Sequence, residues 1–509
     1  MSGPAATESV PDTALGAFLK MWSEVVDLGR ASALLAWDQE TQMPPKGNAG
    51  RGQVQSTLAG IRHARLASNE LFDALERAAE EAEEGSEAAA QVREARRTVD
   101  RVRKIPTELA KEQALASNEG HEAWVNARAA SDFSLFEPAL TRLVDLKRQE
   151  AELLAGEGGR PFDALLDQFE PGATEAALIP LFEKLVGEMT PIVHAVAASG
   201  KEVDESPARG HFPEAAQLAF GRRVAAQMGF DFEAGRIDLA PHPFCQGFSP
   251  NDVRITWRFD ESDFRPALYG IMHEAGHGLY EQGLPMRFDR TPLGEAVSLG
   301  IHESQSRLWE NLVGRSRPFW DWCLPIFKEH FPGAAAVTAD ALWPALNTIR
   351  PSLIRVEADQ GTYDLHIALR FEIERALFAG SLDVPDLPDA WNQKIKEYLG
   401  LDVPDVADGV LQDIHWSFGG FGYFPTYTLG NLINAQLFEA VREEIGDLDD
   451  RIARGDFALL LEWLRTHIHS HGSLYTAAEL VERATGAPLS PDAFLRERRR
   501  IAKEVYGVG

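Results

Sequence analysis

The chain has 509 residues, 44% hydrophobic and 25% charged, the composition of a globular protein with room for a large core. Its formal net charge of −28 sets it against nucleic acid and anionic membrane, whose phosphates it would repel, and obliges any site for an anionic substrate to supply its own positive charge. Cys245 and Cys323 are too few for a disulfide framework and no run of 18 apolar residues occurs, so a reducing cytoplasm is the expected compartment and no membrane-spanning helix is expected.

Residues 1–12 are small and polar, are expected to be disordered, and lack the basic-then-apolar pattern of a secretory signal. Residues 13–509 are expected to form one mainly α-helical domain. Its 13–230 part is helical and its 231–509 part carries the motifs described below. Apolar residues recur at three- and four-residue spacing through 14–36, 53–68, 70–84, 87–103, 109–130 and 135–156, then 174–200 and 213–228. Long antiparallel helices enclosing a deep cleft are the natural product of this pattern. The acidic run at 80–87 reads as a solvated helix end. At 236–259 the texture changes to Pro, Gly, Phe and alternation. Residues 254–259 read as a strand of a small sheet, taken here as an edge strand to which a substrate main chain can add. Asp252 and Arg254 also read simply as a local ion pair.

The stretch His273-Glu274-Ala275-Gly276-His277 reads H-E-x-x-H. On a helix its two imidazoles share one face, close enough to hold one metal ion, and Glu274 sits where it can take a proton from water activated there. Ser262 or Asp263 can cap this helix, Pro266 falls in its first turn and Gly283 can end it. A pair of solvated surface histidines is the plainer alternative. Ala275, Gly276 and Gly278 weigh against it, because small residues at a cost in helix stability make sense where another backbone must approach closely. A hydrolytic zinc site needs a third protein ligand. Residues 300–307 form a second predicted helix, capped by Ser298 and stopped by Gly314, and offer Glu303, with His302 as competitor and an Arg307 ion pair as the plainer role for Glu303.

Further on, 343–378 is predicted helical, with Arg350, Arg355 and Asp359 at near-helical spacing, which alone reads as a solvated charged face. The glycine-rich stretch 409–430 holds Gln412, Asp413, His415, Trp416, Tyr423 and Tyr427 and reads either as an aromatic-packed loop or as a mobile segment presenting hydrogen-bond donors. His467, His469 and His471 alternate at a helix end without a carboxylate or cysteine at useful spacing, so no second metal is expected.

H-E-x-x-H followed by His302-Glu303-Ser304-Gln305 resembles the metallocarboxypeptidases of the thermostable carboxypeptidase Taq type. The run from Leu34 to Pro44, His242-Pro243-Phe244, Asp252-x-Arg254-x-Thr256, Ile354-Arg355-x-x-Ala358-Asp359 and Gly409-x-x-Gln412-Asp413-x-His415-Trp416 stand in that family's order, across roughly 15–506. Gln360 departs from the glutamate that often follows the family's Ala-Asp pair. The resemblance implies one Zn²⁺ per chain (Co²⁺ suits the same ligands) on His273, His277 and Glu303, with Glu274 as general base. It implies stabilisation of the reacting carbonyl by His415 with Tyr427 or Tyr423. It points to Arg355, with Arg254 as second candidate, for the substrate's terminal carboxylate, and to His242, Asp252, Arg350 and Gln412 as further substrate-binding positions. Implied with these are peptide substrates with a free C-terminus, release of single C-terminal residues with broad preference, and a homodimer. An endo-acting oligopeptidase and a non-catalytic helical scaffold remain the competing readings.

Overall fold

The computed structural model describes residues 13–508; the expectation for 1–12 lies outside them. Four helices open the chain: α1 (Ala14–Thr41), α2 (Asn48–Leu66), α3 (Asn69–Glu81) and α4 (Glu87–Lys104). Ser68 and Ser86 accept the N–H groups of Leu71 and Ala89 and so start α3 and α4. Phe18, Trp22 and Val25 of α1 pack with Leu71, Leu75 and Val99 in an apolar cluster separate from the main core. Trp37, near the end of α1, lies under the guanidinium of Arg254 at 4.5 Å and ties these helices to the sheet.

Next come α5 (Thr107–Ala130), α6 (Glu137–Ala155), α7 (Pro161–Phe169), α8 (Glu175–Ala198) and α9 (Glu214–Met228). Helix α7 has no counterpart among the sequence expectations, because nine residues behind a proline show too few repeats to reveal a period. From Trp124 to Tyr506 the buried apolar side chains form one continuous core.

The small sheet comprises β1 (Gly235–Leu239), β2 (Cys245–Ser249) and β3 (Asp252–Trp257) in the order β1-β3-β2, with β1 parallel and β2 antiparallel to β3. The strand expected over 254–259 in fact begins and ends two residues earlier, and it is the central strand, not an edge. Val253, Ile255 and Trp257 are buried, so β3 takes the middle, and the more polar Cys-Gln-Gly-Phe-Ser segment takes the outside. Addition of a substrate to β3 is ruled out, since both its edges are filled.

Helix α10 (Arg265–Gly283) packs on this sheet, with Pro266 in its first turn and Asp263 accepting the Arg265 N–H. Helix α11 (Leu299–Arg307) starts on Ser298, which accepts the Ile301 N–H, and continues as a wider π-helical turn over Leu308–Val313. After α12 (Arg317–His330) and α13 (Ala339–Leu346) the chain runs irregularly to α14 (Tyr363–Phe378). The single helix expected over 343–378 is thus broken, and Arg350, Arg355 and Asp359 do not share a helical face. Pro351 lacks an N–H and pushes Arg350 out of the helical region. The remaining helices are α15 (Leu387–Leu399), α16 (Pro425–Ile445), α17 (Leu448–Ile452), α18 (Ala458–His467), α19 (Ala477–Thr485) and α20 (Asp492–Ile501). None of the described helices is long and apolar enough to cross a membrane.

Helices α10, α11 and α16 meet almost backbone to backbone. A Cβ on Gly276 would stand 2.7 Å from Gln305 O, and one on Gly430 would stand 2.6 Å from Glu303 Cγ. Gly276 of the H-E-x-x-H helix admits α11, and Gly278 admits Phe230 and Ile255 of the neighbouring sheet region.

Candidate active site

His273, His277 and Glu303 are brought together, with ligand atoms all within 4.8 Å of one another. Glu303 Oε2 lies 3.5 Å from His273 Nε2 and 3.4 Å from His277 Nε2. Tetrahedral coordination with bonds of about 2.1 Å requires ligand atoms about 3.4 Å apart, which the two edges at Glu303 match.

The other ring nitrogens are held from behind. Glu310 Oε2 takes the Nδ1–H of His273 at 2.9 Å. His277 Nδ1 meets His302 Nδ1 at 2.5 Å, and His302 Nε2 meets Glu281 Oε1 at 2.8 Å. A carboxylate only accepts, so His302 carries its proton on Nε2 and accepts on Nδ1 from His277. Both ligand histidines thereby keep the Nε2 lone pair facing Glu303. His302 is thus a support for His277. Glu281 and Glu310 were not singled out in the sequence, although Glu281 stands four residues after His277 and Glu310 seven after Glu303, on the same helical faces.

Arg307 joins the groups around the triangle. Its Nε donates to Glu303 Oε1 at 2.7 Å and its Nη1 reaches Glu310 at 3.4 Å, and Arg315 holds the other oxygen of Glu310 at 3.0 Å. The plain i,i+4 pair and the ligand role of Glu303 therefore coexist on its two oxygens. Burial lowers the His277 pKa to about 3, with His302 adding to the effect, so this imidazole is a neutral donor. Burial also works against a charged His273, but Glu303, Glu310 and Glu274 outweigh it and hold its pKa at about 9 without a metal. Burial raises the Glu274 carboxyl to about 7, against the pull of His273. Such a group exchanges protons near neutrality, as a general base and acid must.

A second constellation is built on irregular backbone. Arg355 is buried; its Nε and Nη2 donate to Asp413 Oδ1 at 2.9 and 2.8 Å, and its Nη1 donates to the Tyr363 hydroxyl at 3.0 Å. Arg370, fully buried on α14, donates through Nε to Asp413 Oδ2 at 2.6 Å. Two arginines share one carboxylate, which leaves a surplus positive charge. The Gln412 amide oxygen accepts from Arg355 N and Arg370 Nη2, so Gln412 fixes the arginines from behind. The Arg355 guanidinium stands 5.3 Å from the Tyr427 ring, and the Arg307 guanidinium 5.0 Å from the Tyr363 ring, which links this cluster to Glu303. His415 packs against Phe424 and Tyr423, its Nδ1 is buried without a partner, and burial lowers its pKa to about 4. Burial raises the pKa of both Tyr423 and Tyr427, and the Glu303 charge adds to the effect.

The other sequence candidates stand apart. Arg254 is committed to Asp252 through two hydrogen bonds of 2.9 and 3.0 Å, the local ion pair, and is sandwiched by Trp37 and Phe248. The exposed Arg350 side chain pairs with Glu205, and His242 is exposed in the β1–β2 connection. Sequence reading did not nominate Tyr363 or Arg370; both lie on α14, where charged residues are interspersed among apolar ones without a recognisable spacing.

A helical fold in which an H-E-x-x-H helix and a glutamate from the next helix converge on one point defines a metal-dependent peptidase. The chain belongs to the carboxypeptidase Taq (M32) metallopeptidase family, whose model matches residues 17–501. It is 42% identical to the thermostable carboxypeptidase 1 of Thermus thermophilus, over 98% of this chain and all of that one, and 37% identical to carboxypeptidase 1 of Bacillus subtilis, over 93% and 95%. The crystal structure of the M32 carboxypeptidase from Deinococcus radiodurans superposes with a TM-score of 0.92 at 42% identity, over 96% of this chain and 99% of that one. The protein is therefore a metal-dependent carboxypeptidase, a peptide-bond hydrolase.

Proposed function

We propose that residues 13–509 act as one zinc-dependent carboxypeptidase domain that releases single C-terminal residues from peptides with broad preference. The observation that carries this reading is the pairing of two buried centres of opposite character: a carboxylate-rich metal triangle, and an arginine pair with surplus positive charge. His273, His277 and Glu303 hold the ion; two imidazoles and one carboxylate leave a coordination position open, the pattern of hydrolytic zinc sites, which Co²⁺ also fits. When bound, the ion acts as a Lewis acid that acidifies water and polarises the scissile carbonyl.

Glu274 accepts the water proton as the water oxygen bonds to the carbonyl carbon, then delivers it to the leaving amine as the C–N bond breaks. His415, neutral and with an unpartnered ring nitrogen, and the hydroxyl of Tyr427 or Tyr423 donate to the carbonyl oxygen as negative charge develops on it. Arg355 receives the terminal carboxylate with planar, charge-assisted hydrogen bonds, held in orientation by Asp413, Gln412 and Tyr363. The remaining motif positions, His242, Asp252, Arg254 and Arg350, would serve the peptide further from the scissile bond, where the unfilled edge of β2 offers main-chain partners. The two free cysteines accord with a cytoplasmic protein, and a homodimer is the assembly expected from the family.

The test uses benzyloxycarbonyl-Ala-Ala and its C-terminal amide with metal-loaded and metal-stripped protein. Metal-dependent cleavage of the free acid alone is expected. Equal cleavage of the amide would replace this reading with that of an oligopeptidase, and inert metal-loaded protein would leave only a scaffold.

A further inference from the structure

Between α11, α16 and α20 lies a partly open cavity of about 90 Å³ that the proposed reaction does not use. Its walls include Arg265, Arg307, Arg315, Arg498, Asn434 and Gln360. Four guanidinium groups around one small void are unexpected in a chain with a net charge of −28. The carboxylates that also reach the wall are committed elsewhere. Glu310 serves His273, Arg307 and Arg315; Glu497 is held by Arg500; Asp359 accepts the N–H groups of Arg350, Gly361 and Thr362.

Arg498 is the exception. Its side chain is 3% exposed, its Nη1 donates to the neutral amide oxygen of Gln360 at 2.9 Å, and its Nε is buried without any partner. No carboxylate among the described residues forms an ion pair with it; Glu497, Asp364 and Asp359 act on it only through their charge, without a direct hydrogen bond. A buried guanidinium with an unpartnered N–H is destabilising until an acceptor completes it, and an anion does so best. A second cavity of about 220 Å³ shares Asn311 and Arg315 with the first and continues the arginine lining outward through Arg442, Arg496 and Arg500.

We infer that this cavity is a binding site for a small inorganic anion, held by Arg498 with Arg315 and Asn434. A volume of about 90 Å³ has room for a halide or a tetrahedral oxyanion. The arginine-lined second cavity gives the anion a route from solvent. The site shares Arg307 and Glu310 with the supports of Glu303 and His273, so the occupied cavity buttresses the metal-ligand helix from its far side.

The experiment measures the thermal midpoint of the full-length, metal-loaded protein in a sodium chloride series, and separately in sodium phosphate, with sodium gluconate holding ionic strength constant. A saturable rise of about 1–3 °C is expected for the wild type. Gln360→Glu sets a fixed carboxylate beside Arg498; it should melt higher in gluconate and lose the response. Arg498→Gln should lose it as well. A response to chloride alone assigns a halide site, and one to phosphate alone assigns an oxyanion site. A midpoint that follows only ionic strength, or an undiminished response in Gln360→Glu, overturns the inference.

Discussion

The proposed metal triangle and the proposed carboxylate-binding Arg355 cluster stand on two kinds of backbone. The first is built on the regular helices α10 and α11 and is rich in acid. Once His273 has given up its proton to the incoming ion, Glu274, Glu281, Glu303 and Glu310 stand against Arg307 and Arg315, a formal surplus of two negative charges that a divalent cation cancels. The second is built on irregular segments around residues 355 and 413, and there Arg355 and Arg370 outnumber Asp413, a surplus of one positive charge that a carboxylate cancels. Each centre is electrically incomplete by the charge of what it is proposed to bind. In a low-dielectric interior such a mismatch is expensive, so it marks function more sharply than any residue type alone.

Breaking the first centre should have the largest effect. Glu274→Gln keeps all three ligands but removes the proton carrier; kcat on the blocked dipeptide acid should fall by about 10³-fold or more while metal analysis still returns one ion per chain. Retained turnover would remove Glu274 from the chemistry. Breaking the second centre should be selective. Arg355→Met should lower kcat/KM for the free acid by about 10²-fold and leave the amide, already poor, unchanged; an equal loss on both substrates would make the arginine structural.

A third variant asks whether the acid surplus tunes the metal. Glu310→Gln leaves the ligands intact, and metal affinity should drop by about 10- to 100-fold in a chelator competition. The wild type should release a proton on metal binding at pH 7. Without metal His273 is protonated up to about pH 9, and the ion displaces that proton, so affinity rises with pH through this range. Absence of proton release in a weakly buffered titration would contradict the protonated His273.

The smallest effect concerns Glu170, which accepts the Gly300 N–H at 2.8 Å at the start of α11 and whose pKa burial raises to about 7. Its folded pKa lies above its unfolded value, so its contribution is full below about pH 4.5 and is lost as pH rises towards 7. Glu170→Gln should flatten the decline of the thermal midpoint across that window by about 2 °C. An unaltered decline would assign it to other groups.

The two regions also differ in how far they could be read in advance. The helices carrying the triangle follow from period and caps: Ser298 starts α11 as its position suggested, and the glycines of the H-E-x-x-H face foretold a close neighbour. Charge partners on those helices, Glu281 and Glu310, were within reach at spacings of four and seven. The expectation failed where backbone departs from regular geometry. Pro351 breaks the helix expected over 343–378, and strand order put β3 in the middle, which depends on which of three strands buries most and is not a local property. Arg370 and Tyr363 meet Arg355 only through tertiary folding, so no spacing could announce them.

The glycine contacts at Gly276 and Gly430 have a consequence for ion size. At Gly276 helix α10 meets the main chain of Gln305 and Ser306, and at Gly430 helix α16 meets the side chain of Glu303 itself. The proposed carboxylate ligand therefore has little room to swing away from the imidazoles, which would favour an ion content with bonds of about 2.1 Å over one seeking about 2.3–2.6 Å, as calcium does. Two missing methyl groups thus act as a stop behind one jaw of the proposed metal triangle.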